Sequence, residues 1–166
     1  MRRDLTMRVL NLADATFQDK TGGSRKYAQD LALQMHADGL DVDFLVLQQR
    51  PELPLEENWN GIQIHRYPGR GMLERQKNLR DWFVKIQQKT PFDLVLVHFA
   101  YTALAYHRLP ISQEIPTIRF FQGPWDAEYL ADKGGRGGAK TRLAARTMYE
   151  IERYSLQRSH CIITLS

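Results

Sequence analysis

The chain has 166 residues, 43% hydrophobic and 25% charged, ordinary values for a globular domain in water. One domain is expected at this length, burying about 70% of its unfolded surface without disulfide staples. The net charge of +4 is spread along the chain rather than packed into a tail, so no nucleic-acid partner is expected; solvated surface, acidic lipid headgroups or a phosphorylated substrate would each suit it.

The segment from Met7 to Ala13 is almost continuously apolar, the pattern of a strand buried on both faces of a parallel sheet. Its loop ends at Gly22-Gly23, and a helix should start with Ser24 as N-cap, place Tyr27, Leu31 and Met35 at four-residue spacing, and stop at Gly39. A second strand follows at Asp41 to Leu47. Arg50 to Asn60, with two prolines and several acids, reads as a surface connection.

Ile62 to Tyr67 alternates apolar and polar residues, which predicts a strand near an edge with one exposed face. Pro68-Gly69 ends it. Leu73, Leu79, Trp82, Phe83 and Ile86 then form a helical stripe as far as Lys89, stopped by Thr90-Pro91. Phe92 to Phe99 is the strongest central-strand candidate. A short helix from Tyr101 to Arg108 and a fifth strand from Ile115 to Phe121 come next, opening into Gln122-Gly123-Pro124-Trp125-Asp126. The basic glycine loop Lys133 to Gly138 reads either as a lid or as a solvated linker. A long helix, Ala139 to Arg158, leads to a last strand, Cys161 to Ser166.

This alternation predicts an α/β fold: a doubly wound, mainly parallel sheet with helices on both faces and right-handed crossovers. The lone cysteine, Cys161, permits no internal disulfide and suits a reducing compartment, so a cytoplasmic location is expected. No apolar run reaches the roughly 20 residues of a membrane-spanning helix. Met1-Arg2-Arg3-Asp4 is not followed by a signal-length apolar segment, so a soluble, unexported chain is expected.

In such sheets ligands collect beyond the carboxyl ends of the strands. A Gly22-Gly23 pair before a helix lets backbone approach a ligand, and the helix N-terminus suits phosphate; the alternative is a flexible turn. Arg25 and Lys26 in the first turn oppose the helix dipole unless an anion is present. The dinucleotide fingerprint is missing, since no Gly-x-Gly-x-x-Gly follows the first strand and Leu47-Gln48-Gln49-Arg50 offers no acid to a ribose. The phosphate loop of nucleotide hydrolases is missing as well.

No metal site is expected, because Asp41-Val42-Asp43 opens a strand on the face away from the crevice. His98 should emerge at the crevice end of the central strand, to donate to an acceptor hydroxyl or to cap the strand. Gln122-Gly123-Pro124-Trp125 joins an amide, a sharp turn and a large aromatic at a strand exit, a ligand-binding combination. Asp126 and Glu128 read as acid or base groups, or as N-cap and first-turn charges of the next helix.

The order of Met7-Arg8-Val9-Leu10, of Gly22-Gly23-Ser24-Arg25-Lys26-Tyr27-Ala28-Gln29-Asp30-Leu31-Ala32, of Asp38-Gly39-Leu40-Asp41-Val42, of Phe92 to His98 and of Ile162-Ile163-Thr164-Leu165-Ser166 resembles the N-terminal, acceptor-side domain of GT-B glycosyltransferases, particularly the retaining enzymes of family four. The resemblance implies that residues 1–166 are one Rossmann-like half of a GT-B architecture whose C-terminal donor-binding domain, with its Glu-x7-Glu segment, is absent. It implies transfer of a hexosyl group from a nucleotide sugar to a glycan or lipid-linked acceptor in polysaccharide biosynthesis. The chain alone would then be inactive without a donor-binding domain or subunit, with no cofactor of its own. Peripheral contact with the inner face of a membrane would fit a lipid-linked acceptor.

By the same resemblance Gly22 and Gly23 approach the donor phosphates or the acceptor; Ser24 is expected to bind beside them, and Arg25, Lys26, Gly123, Trp125 and Asp126 are expected to meet the acceptor. Gln122 stands where the family often has a histidine, and with His98 it is the catalytic candidate; an amide can hydrogen-bond a sugar but cannot become cationic. Such enzymes are thought to use the donor's own phosphate as base. Two other readings stay open, a noncatalytic sugar- or nucleotide-binding module and a gene fragment.

Overall fold

A computed structural model describes residues 6–134 and 138–164. Residues Met1 to Asp4, the middle of the Lys133 to Gly138 loop, and Leu165-Ser166 of the last expected strand therefore lie outside the described residues.

The strands are β1 (Arg8–Leu12), β2 (Asp41–Leu47), β3 (Glu56–Trp59), β4 (Ile62–Tyr67), β5 (Leu94–Val97), β6 (Thr117–Phe121) and β7 (Cys161–Thr164). The helices are α1 (Gly23–Ala37), α2 (Met72–Lys89), α3 (Ala100–Tyr106), α4 (Trp125–Asp132) and α5 (Ala139–Arg158), with a 3-10 turn at Pro110–Gln113. The strands form one seven-stranded sheet in the order β3-β4-β2-β1-β5-β6-β7. Every pairing is parallel except the antiparallel β3–β4 hairpin. This is the doubly wound fold expected from the sequence.

Alternation along the strands separates two cores. Leu10, Leu12, Leu45 and Leu47 face α2 and α3, where Phe83 and Tyr106 pack edge to face at 5.1 Å. Val42, Phe44 and Val46 face the opposite way, onto Ala28 and Ala32 of α1. These alanines let α1 lie close to the sheet, while Tyr27, Leu31 and Met35 flank them and cover Val9, Leu96 and Phe120. β5 is the buried central strand that its apolar run predicts.

Four expectations are corrected. Gly22, not Ser24, is the N-cap of α1, and no side chain caps that end. Leu73 is 85% exposed and lies off the buried stripe of α2. Within the stretch expected to be surface connection, Glu56 to Trp59 form the edge strand β3. The hairpin turns through Asn60 at φ 51° and Gly61 at φ 86°, the two left-handed residues of a type I′ turn. β4 accordingly lies next to the edge strand, but the face expected to be exposed is covered.

Arg66, the buried charge of β4, is paired by carboxylates from other elements. Arg66 reaches Asp19 through two bonds of 3.0 Å, from Nε and Nη2, and Glu57 at 2.8 Å. His65 lies 3.5 Å from Asp43, which is bonded by Arg8. The Asp41-Val42-Asp43 segment thus spends its buried carboxylate on an ion pair at the end of the sheet away from the crevice.

Candidate functional site

The strand order reverses between β1 and β5, since the chain winds outward from β1 in one direction and from β5 in the other. The loops leaving these strands diverge there and open a cleft of about 760 Å³. Its walls come from Ala13 and Asp14 after β1, the start of α1, His98 and Phe99 after β5, and Gln122 and Gly123 after β6. Trp125 and Glu128 of α4 and Glu152 of α5 close the far side.

Of the residues named from the sequence, the cleft brings together Gly23, Ser24, Arg25, His98, Gln122, Gly123, Trp125 and Glu128. Gly22 sits beside it at φ 154°, and a Cβ there would lie 2.6 Å from Arg25 Nη1. The bare backbone lets Arg25 fold back onto Asp14 and onto the Thr21 carbonyl at 3.3 Å. Two residues are not brought in. Lys26 points to solvent and pairs with Asp30 at 2.7 Å, and Asp126 is a first-turn residue of α4 outside the lining.

His98 differs from expectation in a chemically decisive way. Asn11 donates from Nδ2 to the Asp43 carbonyl at 3.4 Å, leaving its Oδ1 to accept from His98 Nε2 at 2.9 Å. That arrangement puts the ring proton on Nε2, so Nδ1 is an acceptor rather than the donor expected. Burial, with Arg119 nearby, pushes the His98 pKa down to about 3, so the ring is neutral at physiological pH. It stacks flat on Phe120, with centroids 4.9 Å apart and planes at 1°.

A buried ion pair that lines the cleft was not singled out in the sequence. Arg119 Nη2 donates to Glu152 Oε1 at 3.0 Å, Arg119 Nη1 donates to the carbonyls of Val97 and Phe120, and Glu152 Oε2 accepts the Trp125 backbone N–H at 2.9 Å. The pair ties β6 and the first residue of α4 to α5. The signal for it was a charged residue inside the apolar run Ile118-Arg119-Phe120-Phe121, which demands a buried partner. Glu152 lies on the inward face of α5 with Ala145 and Ser155.

Several buried polar atoms on residues lining the cleft have no partner among the described residues: Arg25 Nε, His98 Nδ1, Arg119 Nε and Gln122 Nε2. Three are donors and one is an acceptor. A hydroxyl group, which both donates and accepts, is the complementary function. Phe99 and Trp125 add an aromatic wall, edge to face at 5.0 Å. Among the described residues no group of three His, Cys, Asp or Glu side chains could hold a metal ion, and no helix is long and apolar enough to cross a membrane.

Residues 22–166 match the glycosyl transferase 4-like domain model. No protein of curated function matches the sequence. Among solved structures, a sucrose-phosphate synthase from Thermosynechococcus elongatus aligns over 96% of this chain and 42% of its own, at 15% identity and a TM-score of 0.75. A UGT transferase from Siraitia grosvenorii, solved with UDP, aligns over 96% of this chain and 44% of its own, at 11% identity and a TM-score of 0.60. The chain thus spans less than half the length of either. At such identities the likeness is one of fold, the Rossmann-like half of a GT-B glycosyltransferase.

Proposed function

We propose, for a chain that belongs to the glycosyl transferase 4-like domain family, that it is the acceptor-binding half of a hexosyltransferase. In this reading a glycan or lipid-linked sugar lies in the cleft at the ends of β1, β5 and β6, and the nucleotide sugar arrives on a second domain or subunit. The observation that carries it is the set of unpartnered atoms around one cleft, matched to hydroxyls rather than to an apolar ligand.

Each residue then has a defined task. His98 Nδ1 accepts from an acceptor hydroxyl, and its low pKa keeps that lone pair free at neutral pH. Gln122 donates to a neighbouring oxygen. Trp125 and Phe99 offer aromatic surface to the apolar face of a sugar ring. Arg25 and the α1 N-terminus place positive potential at the cleft mouth, where Gly22, Gly23 and Ser24 leave backbone open to a donor phosphate. Glu152 positions Trp125 without itself reacting.

Turnover is expected only with the donor-binding half present. The test is NMR titration of the isotopically labelled chain with a panel of hexose disaccharides and, separately, with uridine diphosphate. Disaccharide should shift the signals of Gln122, Gly123 and Trp125, and Gln122→Ala should weaken that response. Shifts confined to other parts of the chain, or no response to any saccharide, would remove the reading; sugar transfer by the chain alone would remove the dependence on a second half.

A further inference from the structure

A second hollow, of about 680 Å³, adjoins the cleft and shares Phe99 and Trp125 with it. Its floor is apolar, made by those two rings with Met148 and Ile151 of α5. Met72 and Leu143 stand 60% and 67% exposed at its edges, a costly arrangement for surface that meets only water. Its charged lining residues are Arg70, Arg75 and Lys140, and no carboxylate lines it among the described residues. Glu74, one turn along α2, gives its carboxylate to the Arg70 backbone N–H at 2.9 Å. The hollow therefore combines a hydrocarbon-sized apolar floor with a rim of three cations and no lining carboxylate among the described residues.

We propose that this groove binds a phosphate-bearing lipid, its hydrocarbon chain along Leu143, Met148 and Ile151 and its phosphate among Arg70, Arg75 and Lys140. Charge complementarity selects this occupant: a neutral lipid would leave three cations without a counter-ion, and free phosphate would leave the apolar floor wet. Trp125 stands between the groove and the cleft, so a sugar carried on such a lipid would reach Gln122 and His98. That this lipid is the acceptor rests on the reading above; that the groove binds it does not.

The test is titration of the chain with dodecyl phosphate below its micelle concentration, read by NMR, with dodecyl maltoside and inorganic phosphate as comparison ligands. Saturable shifts should centre on Leu143, Met148 and Ile151, with dodecyl phosphate bound at least about tenfold more tightly than dodecyl maltoside, given roughly 1 kcal/mol per basic residue near an anionic headgroup. Leu143→Glu, at an exposed helical position that tolerates glutamate, should abolish binding while the helical circular dichroism is retained. Arg70→Ala with Lys140→Ala should erase the preference for phosphate.

Equal binding of the two detergents, binding unchanged by Leu143→Glu, or no saturable binding would overturn the proposal. The disaccharide titration of the cleft is run on the same Leu143→Glu sample. In the wild-type chain an intact cleft response with no dodecyl phosphate response sinks the lipid groove alone, and the reverse pattern sinks the acceptor reading alone; an intact cleft response in Leu143→Glu shows that the variant is folded, so that its lost dodecyl phosphate binding reports on the groove.

Discussion

Replacing Glu152 with glutamine keeps the shape of the side chain and removes its charge, leaving Arg119 buried without a counter-ion. The two side chains are 4% and 7% exposed, so the relevant scale is that of buried pairs and not the 0–1 kcal/mol of surface ones. Breaking a buried pair from one side costs about 3–5 kcal/mol, a large part of the 5–15 kcal/mol that holds a typical domain folded. Glutamine can still accept the Trp125 N–H, so about 3 kcal/mol is the expected loss for Glu152→Gln. Removing the cation as well, with Arg119→Met, should return about 1–2 kcal/mol, because the partners interact directly and their effects do not add. Urea unfolding at neutral pH, followed by circular dichroism for both single variants and the double variant, measures the cycle. A cost below about 1 kcal/mol for Glu152→Gln, or strictly additive costs, would refute the brace.

Stability should fall with acid in a window set by two buried histidines, His98 with its pKa pushed down to about 3 and His107 to about 4, each mainly by burial. Below the unfolded-state pKa near 6.5 the unfolded chain takes up protons that the folded chain refuses, so each histidine's contribution is full above that pH and lost below it. Between pH 6.5 and 5 each should remove about 2 kcal/mol, and His98→Gln should flatten the curve by that amount; an unchanged slope would place His98 in a wetter site. Gly61→Ala should lower stability by about 1–2 kcal/mol, since φ 86° is unfavourable for a residue with a Cβ. An unchanged melting temperature would contradict the I′ turn.

The sheet was legible where the chemistry is local. Phe92 to Phe99 carries an apolar run that only a central strand uses, and Gly39 does end α1, through N–H bonds of 3.0 Å from Gly39 to the His36 carbonyl and from Leu40 to the Met35 carbonyl. β3 was missed because Glu56-Glu57-Asn58-Trp59 is short and half exposed, with no apolar alternation to report it. The cue was Asn60-Gly61, a dipeptide that favours a tight hairpin. His65 and Arg66 misled because alternation was read as polar-out, whereas their partners Asp43, Asp19 and Glu57 come from other elements.

The cleft's position followed from topology, and most of its glycines and polar residues were visible at strand ends. The tautomer of His98 was not, because it depends on Asn11, far away in sequence and beside it in the sheet. Arg119 and Glu152 likewise meet across 33 positions, a distance at which local pattern carries no information.

The Arg66–Asp19 bond joins the edge hairpin to the loop that carries Lys20 to Gly23 into the cleft, so the two cannot be treated as separate parts. Anyone grafting that loop onto a related scaffold, or trimming β3 and β4 to make a smaller domain, would strand a carboxylate or a guanidinium with 1% of its side chain open to water. The glycine loop and the hairpin have to be moved together.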